Sequence, residues 1–176
     1  MYPALTPNDT HYSRLWGLSS SSAGVRANVA WDSHTGSGVT VAVLDTGIRP
    51  HADLTANIVS GYDMIADTFV SNDGTGRDSD PSDPGDWNTA NQCQQGDPAS
   101  NSSWHGTHVA GTIAAAGNNS QGVIGVAYGA KLQAVRVLGR CGGYTSDIAD
   151  GMIWASGGSV SGLPANATPA KVINMS

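Results

Sequence analysis

The strongest constraint on how this 176-residue chain folds is a short apolar run at residues 39–44, VTVAVL. Apolar side chains in such a run point to both faces of a strand, which is typical of a parallel strand buried between two layers. The run stops at Asp45, which is followed by Thr46 and Gly47. The pattern therefore predicts a buried strand whose carboxyl end carries an aspartate, the place where α/β sheets hold their sites.

Similar runs recur along the chain and alternate with segments of helical periodicity. Strands that alternate with helices predict an α/β fold with a parallel sheet. The predicted strands are 39–44, 56–62, 132–138 and 171–175, and the predicted helices are 25–31, 105–116 and 146–154. Residues 63–103 between them predict a long loop, and long loops in compact domains tend to be functional or tied down.

The charged residues are few and unevenly placed. All 14 acidic residues are Asp, against 8 basic residues, and eight of the aspartates lie between residues 63 and 97. With only two lysines, the chain lacks the basic clusters that bind nucleic acid. It has no apolar run of about 18 residues to cross a membrane, and its first residues do not resemble a signal peptide. Neither nucleic acid nor a membrane is an expected partner.

Asp45 and His105 are the first candidates for catalysis. A carboxylate at a buried strand end needs donors or a positive partner, although Asp also caps turns. His105 opens the predicted helix 105–116, with His108 one turn later. An imidazole beside a buried Asp is a general base with an orienting partner. The alternatives are structural histidines or a metal site at the two histidines, which lacks a third nearby Cys or Glu ligand.

Several short motifs follow one another in a fixed order. They read DTGI at 45–48, HADL at 51–54, HGTHVAG at 105–111, GVA at 125–127, VRVL at 135–138 and VINMS at 172–176. Taken together, they resemble the subtilisin family of serine proteases from about residue 36 to residue 176. The resemblance implies a three-layer α/β fold on a parallel sheet, incomplete at the C-terminus. It also implies an N-terminal arm of the mature protease over residues 1–38.

The resemblance assigns the triad Asp to Asp45 and the triad His to His105, while His108 matches a structural position. The family's nucleophile motif, Gly-Thr-Ser, is absent, as is the Asn of its oxyanion hole, and Ser176 does not match the nucleophile. Residues 36–176 are therefore expected to be the N-terminal part of the catalytic domain, truncated before the nucleophile Ser and inactive alone. The implied partners are a protein or peptide substrate, the missing C-terminal part of the domain and a propeptide.

The Gly-rich segment after residue 137 resembles the edge at which the family binds an extended substrate. Glycines let two backbones approach, as strand addition requires, although an ordinary Gly-rich turn is the alternative. The implied substrate-binding residues are Leu138, Gly139, Gly142, Gly143 and Tyr144.

The two cysteines, Cys93 and Cys141, predict a disulfide and an oxidising compartment in a chain so rich in Ser, Asn and Gly. Free buried thiols are the alternative. The pair would tie the Gly-rich segment to the acidic loop. A secreted, extracellular protein is expected.

Clustered aspartates predict a calcium-binding site. Asp78, Asp80, Asp83 and Asp86 stand within nine residues, and a hard cation with oxygen ligands would relieve their repulsion. A solvated acidic loop is the alternative. The family resemblance implies a second calcium site at Asp53 and the loop 116–123, with Asn118 among the ligands.

Two other protein classes compete with a serine peptidase. Asp-Thr-Gly after an apolar strand is also the signature of an aspartic protease half, but that fold is nearly all β, whereas residues 105–116 and 146–154 predict helices. A calcium-stabilised, non-catalytic fragment or pseudoenzyme is the remaining alternative.

Overall fold

Four parallel strands form one sheet, in the order β2-β3-β1-β4, in a computed structural model that describes residues 5–176. The central strand β1 pairs with β3 on one side and with β4 on the other, both in parallel. The strands are β1 (Thr40–Asp45), β2 (Ile58–Asp63), β3 (Lys131–Arg136) and β4 (Val172–Met175). The predicted parallel sheet is confirmed.

Five helices complete the architecture of the described residues. They are α1 (Trp16–Ser19), α2 (Ala27–Ala30), α3 (Thr68–Ser71), α4 (His105–Ala114) and α5 (Thr145–Ala155), with single 3₁₀ turns at Tyr12–Arg14 and Thr55–Asn57. The predicted helix 25–31 is shorter than expected because Arg26, directly before α2, has a left-handed backbone with φ 56°. Across residues 5–176, no helix has both the length and the apolar character needed to span a bilayer.

Helices cover both faces of the sheet, which gives three layers. Val41 and Val43 of β1 belong to a core cluster that includes Ala110 and Ala114 of α4. Ala42 and Leu44, which alternate with them, pack in a second cluster with Trp154 and Ala155 of α5. The period-two alternation of a strand explains why the run is apolar on both of its faces. This α/β/α arrangement differs from the nearly all-β fold of an aspartic protease half.

The segment before β1 packs against the loop that precedes β3. Trp31 is buried, its ring lies edge-on to Tyr128 with 5.6 Å between ring centroids, and its Nε1 donates a 2.8 Å hydrogen bond to the carbonyl of Val126. Ile124 completes this small core. Residues 1–4 of the expected arm lie outside the described residues.

The acidic segment, residues 64–104, connects β2 to α4 and contains α3. It is anchored to α5 by Arg77, whose guanidinium lies 2.7 Å from a carboxylate oxygen of Asp147 and 2.7 Å from one of Asp150. The disulfide between Cys93 and Cys141 anchors it to the segment after β3. The predicted long loop is therefore present and tied down.

Candidate active site

Asp45 and His105 form a carboxylate–imidazole pair. Nδ1 of His105 lies 2.9 and 2.8 Å from the two carboxylate oxygens of Asp45. Asp45 is fully buried, whereas the His105 side chain is 49% exposed. Because a carboxylate only accepts hydrogen bonds, Nδ1 carries the proton and the second ring nitrogen, Nε2, is the basic one. The two residues that the sequence indicates are thus brought together with the geometry of a general base and its orienting partner.

The close approach of α4 to the end of β1 depends on glycine. A Cβ on Gly106 would collide with the carbonyl oxygen of Gly47 and would lie 3.2 Å from the Cβ of Asp45. The helix begins directly after Trp104, whose backbone is left-handed with φ 53° and whose side chain makes no capping hydrogen bond. Because residue 106 has no side chain, α4 can approach the end of β1 closely enough for His105 to contact Asp45.

Thr46 connects this pair to two further buried groups. Its hydroxyl lies 2.8 Å from Oδ2 of Asp83, and the N–H of Gly106 donates to the same hydroxyl oxygen at 3.0 Å. Its carbonyl oxygen accepts a 3.2 Å hydrogen bond from Nε of Arg136. Burial raises the pKa of Asp83, while hydrogen bonds from Thr46 and Gly85 act in the opposite direction. The sequence does not single out these contacts.

Arg136 is a buried cation at the end of β3. Its Nη1 lies 2.5 Å from Oδ2 of Asp63 and 3.1 Å from Oδ2 of Asp73, and its Nη2 donates to the carbonyl of Ser71. Burial raises the pKa of Asp63 to about 6, although the positive charge of Arg136 lowers it. The signal for this site in the sequence is one arginine inside the otherwise apolar motif at 135–138, since a buried charge needs a partner.

An open cleft of about 450 Å³ lies beside the imidazole. Three of the expected substrate-binding residues, Leu138, Gly139 and Gly142, line it together with His105. Gly139 and Gly142 also exchange backbone hydrogen bonds of 2.8 and 3.1 Å, so the segment forms a tight turn. The Gly-rich turn and the cleft wall are therefore the same structure.

The other two expected substrate-binding residues lie outside the lining of this cleft. Gly143 is exposed. Tyr144 is half-exposed, and its hydroxyl lies 3.3 Å from a carboxylate oxygen of Asp67, the residue that caps α3.

The cleft wall is fastened to the acidic segment at two adjacent residues. The guanidinium of Arg140 lies 4.6 Å from the ring centroid of Trp87 and 5.2 Å from that of Phe69, and it donates to the side-chain oxygen of Asn72. The next residue, Cys141, forms the expected disulfide. Sequence reasoning misses the role of Arg140, because its partners come from distant parts of the loop.

The four clustered aspartates each bind nearby groups of the protein. Asp78 accepts the N–H of Asp80, Asp80 accepts the N–H of Ser82, and Asp86 accepts both the N–H and the hydroxyl of Ser103. Asp83 faces Thr46 from a buried position. No three His, Cys or Asp side chains of residues 5–176 are arranged to hold a metal ion. Calcium binding at these four residues stays a prediction.

The second predicted calcium site surrounds the loop 116–123. Buried Asp53 accepts the side-chain amide of Asn119 at 2.7 Å and the N–H of Val123 at 2.9 Å. Asp9, also buried, accepts the N–H of Asn118 at 3.0 Å through Oδ2, whereas its Oδ1 has no hydrogen-bond partner. An unpaired buried carboxylate oxygen beside a loop is a group that a calcium ion would satisfy. The sequence does not identify Asp9.

Comparisons with known proteins point to one family. The profile of the subtilase family matches residues 36–176. The extracellular protease of Xanthomonas campestris is 61% identical over 176 residues, which are 100% of this chain and 30% of that protein. The extracellular basic protease of Dichelobacter nodosus is 52% identical over 180 residues, and the match covers 99% of this chain and 30% of that protein.

A solved structure of a protease from Pseudoalteromonas arctica superposes with a TM-score of 0.95. It shares 64% sequence identity, and the match covers 97% of this chain and 50% of that one. The present chain therefore spans about a third of the length of the two curated relatives and half of the solved one.

Proposed function

The chain belongs to the subtilase family, and we propose that it supplies Asp45 and His105 to an Asp-His-Ser triad that hydrolyses peptide bonds. The observation that carries the proposal is the buried Asp45 carboxylate on Nδ1 of His105. Asp45 would keep that nitrogen protonated and stabilise the imidazolium. Nε2 would take the proton of a serine hydroxyl and later give it to the leaving amine.

The proposed nucleophile comes from sequence outside this chain. In the described part of the chain, no serine hydroxyl is hydrogen-bonded to Nε2 of His105. Both curated relatives are about three times as long as this chain. The 176-residue chain alone is therefore proposed to bind but not to cleave peptides.

Proteins or peptides are the proposed substrates. An extended substrate would lie along the cleft wall at Leu138, Gly139 and Gly142, beside His105. Gly142 is exposed and has open space above it, which leaves room for a second backbone at this edge. Two relatives are named extracellular proteases and the chain holds a disulfide, which supports secretion of the protein.

The test joins this chain to the C-terminal half of the catalytic domain of the Pseudoalteromonas relative and measures hydrolysis of a chromogenic peptide. The joined protein is expected to cleave the peptide, whereas the 176-residue chain is not. H105A should lower kcat by about 10⁶ and D45N by about 10⁴. H34A changes an exposed histidine elsewhere and should keep full activity. Turnover that survives in H105A would exclude the proposed base.

We also propose that calcium binds between Asp9, Asp53 and the loop 116–123. The unpaired Oδ1 of buried Asp9 supports this site. A ligand at 100 times its Kd stabilises a protein by about 2.7 kcal/mol, so calcium should raise the melting temperature and EDTA should lower it. D9N should remove most of the calcium-dependent rise.

The control for the calcium site is D80N, which removes a charge from the other aspartate cluster. If D80N rather than D9N abolished the rise, calcium would bind within residues 78–86. If calcium and EDTA both left the melting temperature of the unmodified chain unchanged, neither site would bind it.

A further inference from the structure

One hydroxyl joins the two residues that follow the proposed catalytic pair. Thr46 follows Asp45, Gly106 follows His105, and the Gly106 N–H donates to the Thr46 hydroxyl oxygen at 3.0 Å. The first four N–H groups of a helix have no acceptor within that helix. Since the residue before α4 supplies no side-chain cap, the hydroxyl takes the place of a capping group. It thereby fixes the position of the first turn of α4 relative to the end of β1.

Asp83 determines the direction of that hydroxyl. Its Oδ2 lies 2.8 Å from the Thr46 oxygen, and its side chain is almost fully buried. A hydroxyl has a single hydrogen and a carboxylate can only accept. Thr46 must therefore donate to Asp83, which leaves its lone pairs for Gly106. Asp83 is itself held, because Oδ1 accepts the N–H of Gly85 at 2.8 Å and its own N–H donates to the carbonyl of Ile48 at 3.0 Å.

The remaining polar atoms of Thr46 are bound as well. Its N–H donates to Oδ1 of Asp45 at 2.7 Å, and its carbonyl accepts Nε of Arg136. Thr46 therefore cannot turn or slide without breaking a buried hydrogen bond. The chain of contacts from Asp83 to Gly106 is fixed at every step.

We propose that Asp83 is a positioning residue for the Asp45–His105 pair, acting through the Thr46 hydroxyl and the Gly106 N–H. The inference rests on the proposed function and deepens it. It gives the acidic segment a role in the geometry of the site, because Asp83 lies within that segment. A displacement of about 1 Å at a catalytic group can cost about 10²-fold in rate, so a small movement of α4 would matter.

The experiment is proton NMR of the 176-residue chain, which reports the low-field signal of the proton on Nδ1 of His105. T46V keeps the shape of the side chain and removes the hydroxyl, whereas T46S keeps the hydroxyl. The signal should be lost or move upfield in T46V and remain in T46S, with unchanged circular dichroism. D83N should weaken it, because Thr46 and Gly85 donate to different carboxylate oxygens and the NH₂ group that replaces one of them cannot accept. D97N, elsewhere in the same segment, should keep it.

In the joined protein, T46V should lower kcat by about 10²-fold with little change in KM, because the side chain keeps its shape at the cleft and the wall at Leu138, Gly139 and Gly142 is unchanged. If T46V does not fold, D83N decides the question in both measurements. Folded T46V and D83N that keep the wild-type signal and kcat would overturn the positioning role alone. A wild-type chain without the low-field signal, or a signal that survives in H105A, would instead overturn the catalytic pair and with it the proposed function.

Discussion

The titration of Asp63 should make the stability of this protein depend on pH. Its carboxyl is buried at the end of β2 against Arg136, and burial raises its pKa from 3.8 to about 6. Between these values the folded protein binds more protons than the unfolded chain. This contribution to stability is therefore complete below about pH 4 and is lost as the pH rises through 6. The loss is roughly 3 kcal/mol at most, from a pKa difference of about 2.

The measurement is urea unfolding of wild type and D63N at pH 4 and pH 7. The amide of D63N resembles the protonated acid, so the two proteins should have similar stability at pH 4. At pH 7, D63N should be more stable than wild type. D97N serves as the control for loss of one negative charge. An equal stability difference between D63N and wild type at both pH values would contradict the raised pKa.

The position of a site residue can be predicted from sequence when the residues around it are unusual. Asp45 ends an apolar strand and His105 opens a helix, and both are where the sequence indicates. The partners of Arg136 are not foreseeable. They depend on which strand ends lie side by side, and the order β2-β3-β1-β4 cannot be read from chain order. The sequence predicts Asp83 as a calcium ligand because its charge is visible there and its burial is not.

The first turn of α4 should tolerate a methyl group at one glycine and not at another. G106A would bring a Cβ against the backbone of Gly47 and should destabilise the protein by about 1–3 kcal/mol through overpacking. At Gly111 in the same helix, a Cβ would meet no atom of another segment within 4 Å. G111A should therefore stabilise the protein by up to about 1 kcal/mol through helix propensity. Chemical denaturation of G106A and G111A measures the two changes in stability and so separates the effect of close packing from that of helix propensity.

The same two variants show whether the packing of α4 against β1 also sets the position of His105. G106A should also displace His105 and weaken the low-field proton signal, while G111A should leave that signal in place. Equal stability of the two variants would show that α4 does not need close contact with β1.

Secondary structure is predictable where periodicity is strong. The strand predicted at 39–44 is β1, Thr40–Asp45, and the helix predicted at 146–154 is α5, Thr145–Ala155. The helix predicted at 105–116 ends at Ala114. The four-residue helix α3 escapes prediction, because its cap Asp67 is one of many aspartates in a segment without periodicity.

The acidic segment owes its order to arginines that lie mostly outside it. Three guanidinium groups join this segment to the rest of the domain. Arg77 binds α5, Arg136 binds Asp63 and Asp73, and Arg140 stacks on Trp87. Two of these three arginines, Arg136 and Arg140, lie more than 30 residues beyond the end of the acidic segment in sequence, so composition alone cannot pair them with it.

The disulfide is the covalent part of this arrangement, and its removal should loosen the segment without unfolding the sheet. Cys93 and Cys141 are 48 residues apart, and closing a loop of that size stabilises by about 4 kcal/mol in the chain-entropy model. C93A/C141A should lower the melting temperature. Hydrogen exchange should rise at residues 86–103 and 139–142, since Arg140 alone then joins the cleft wall to Trp87.

Amides of β1 report whether the loss is local. They lie in the centre of the sheet and should still exchange only through global unfolding, faster than in wild type by the lost stability alone. A reducing agent should reproduce the change in wild type and have no effect on C93A/C141A. If exchange at 139–142 stayed at its wild-type rate in the variant, Arg140 and the turn itself would suffice to hold the cleft wall. The disulfide would then stabilise the chain without shaping the site.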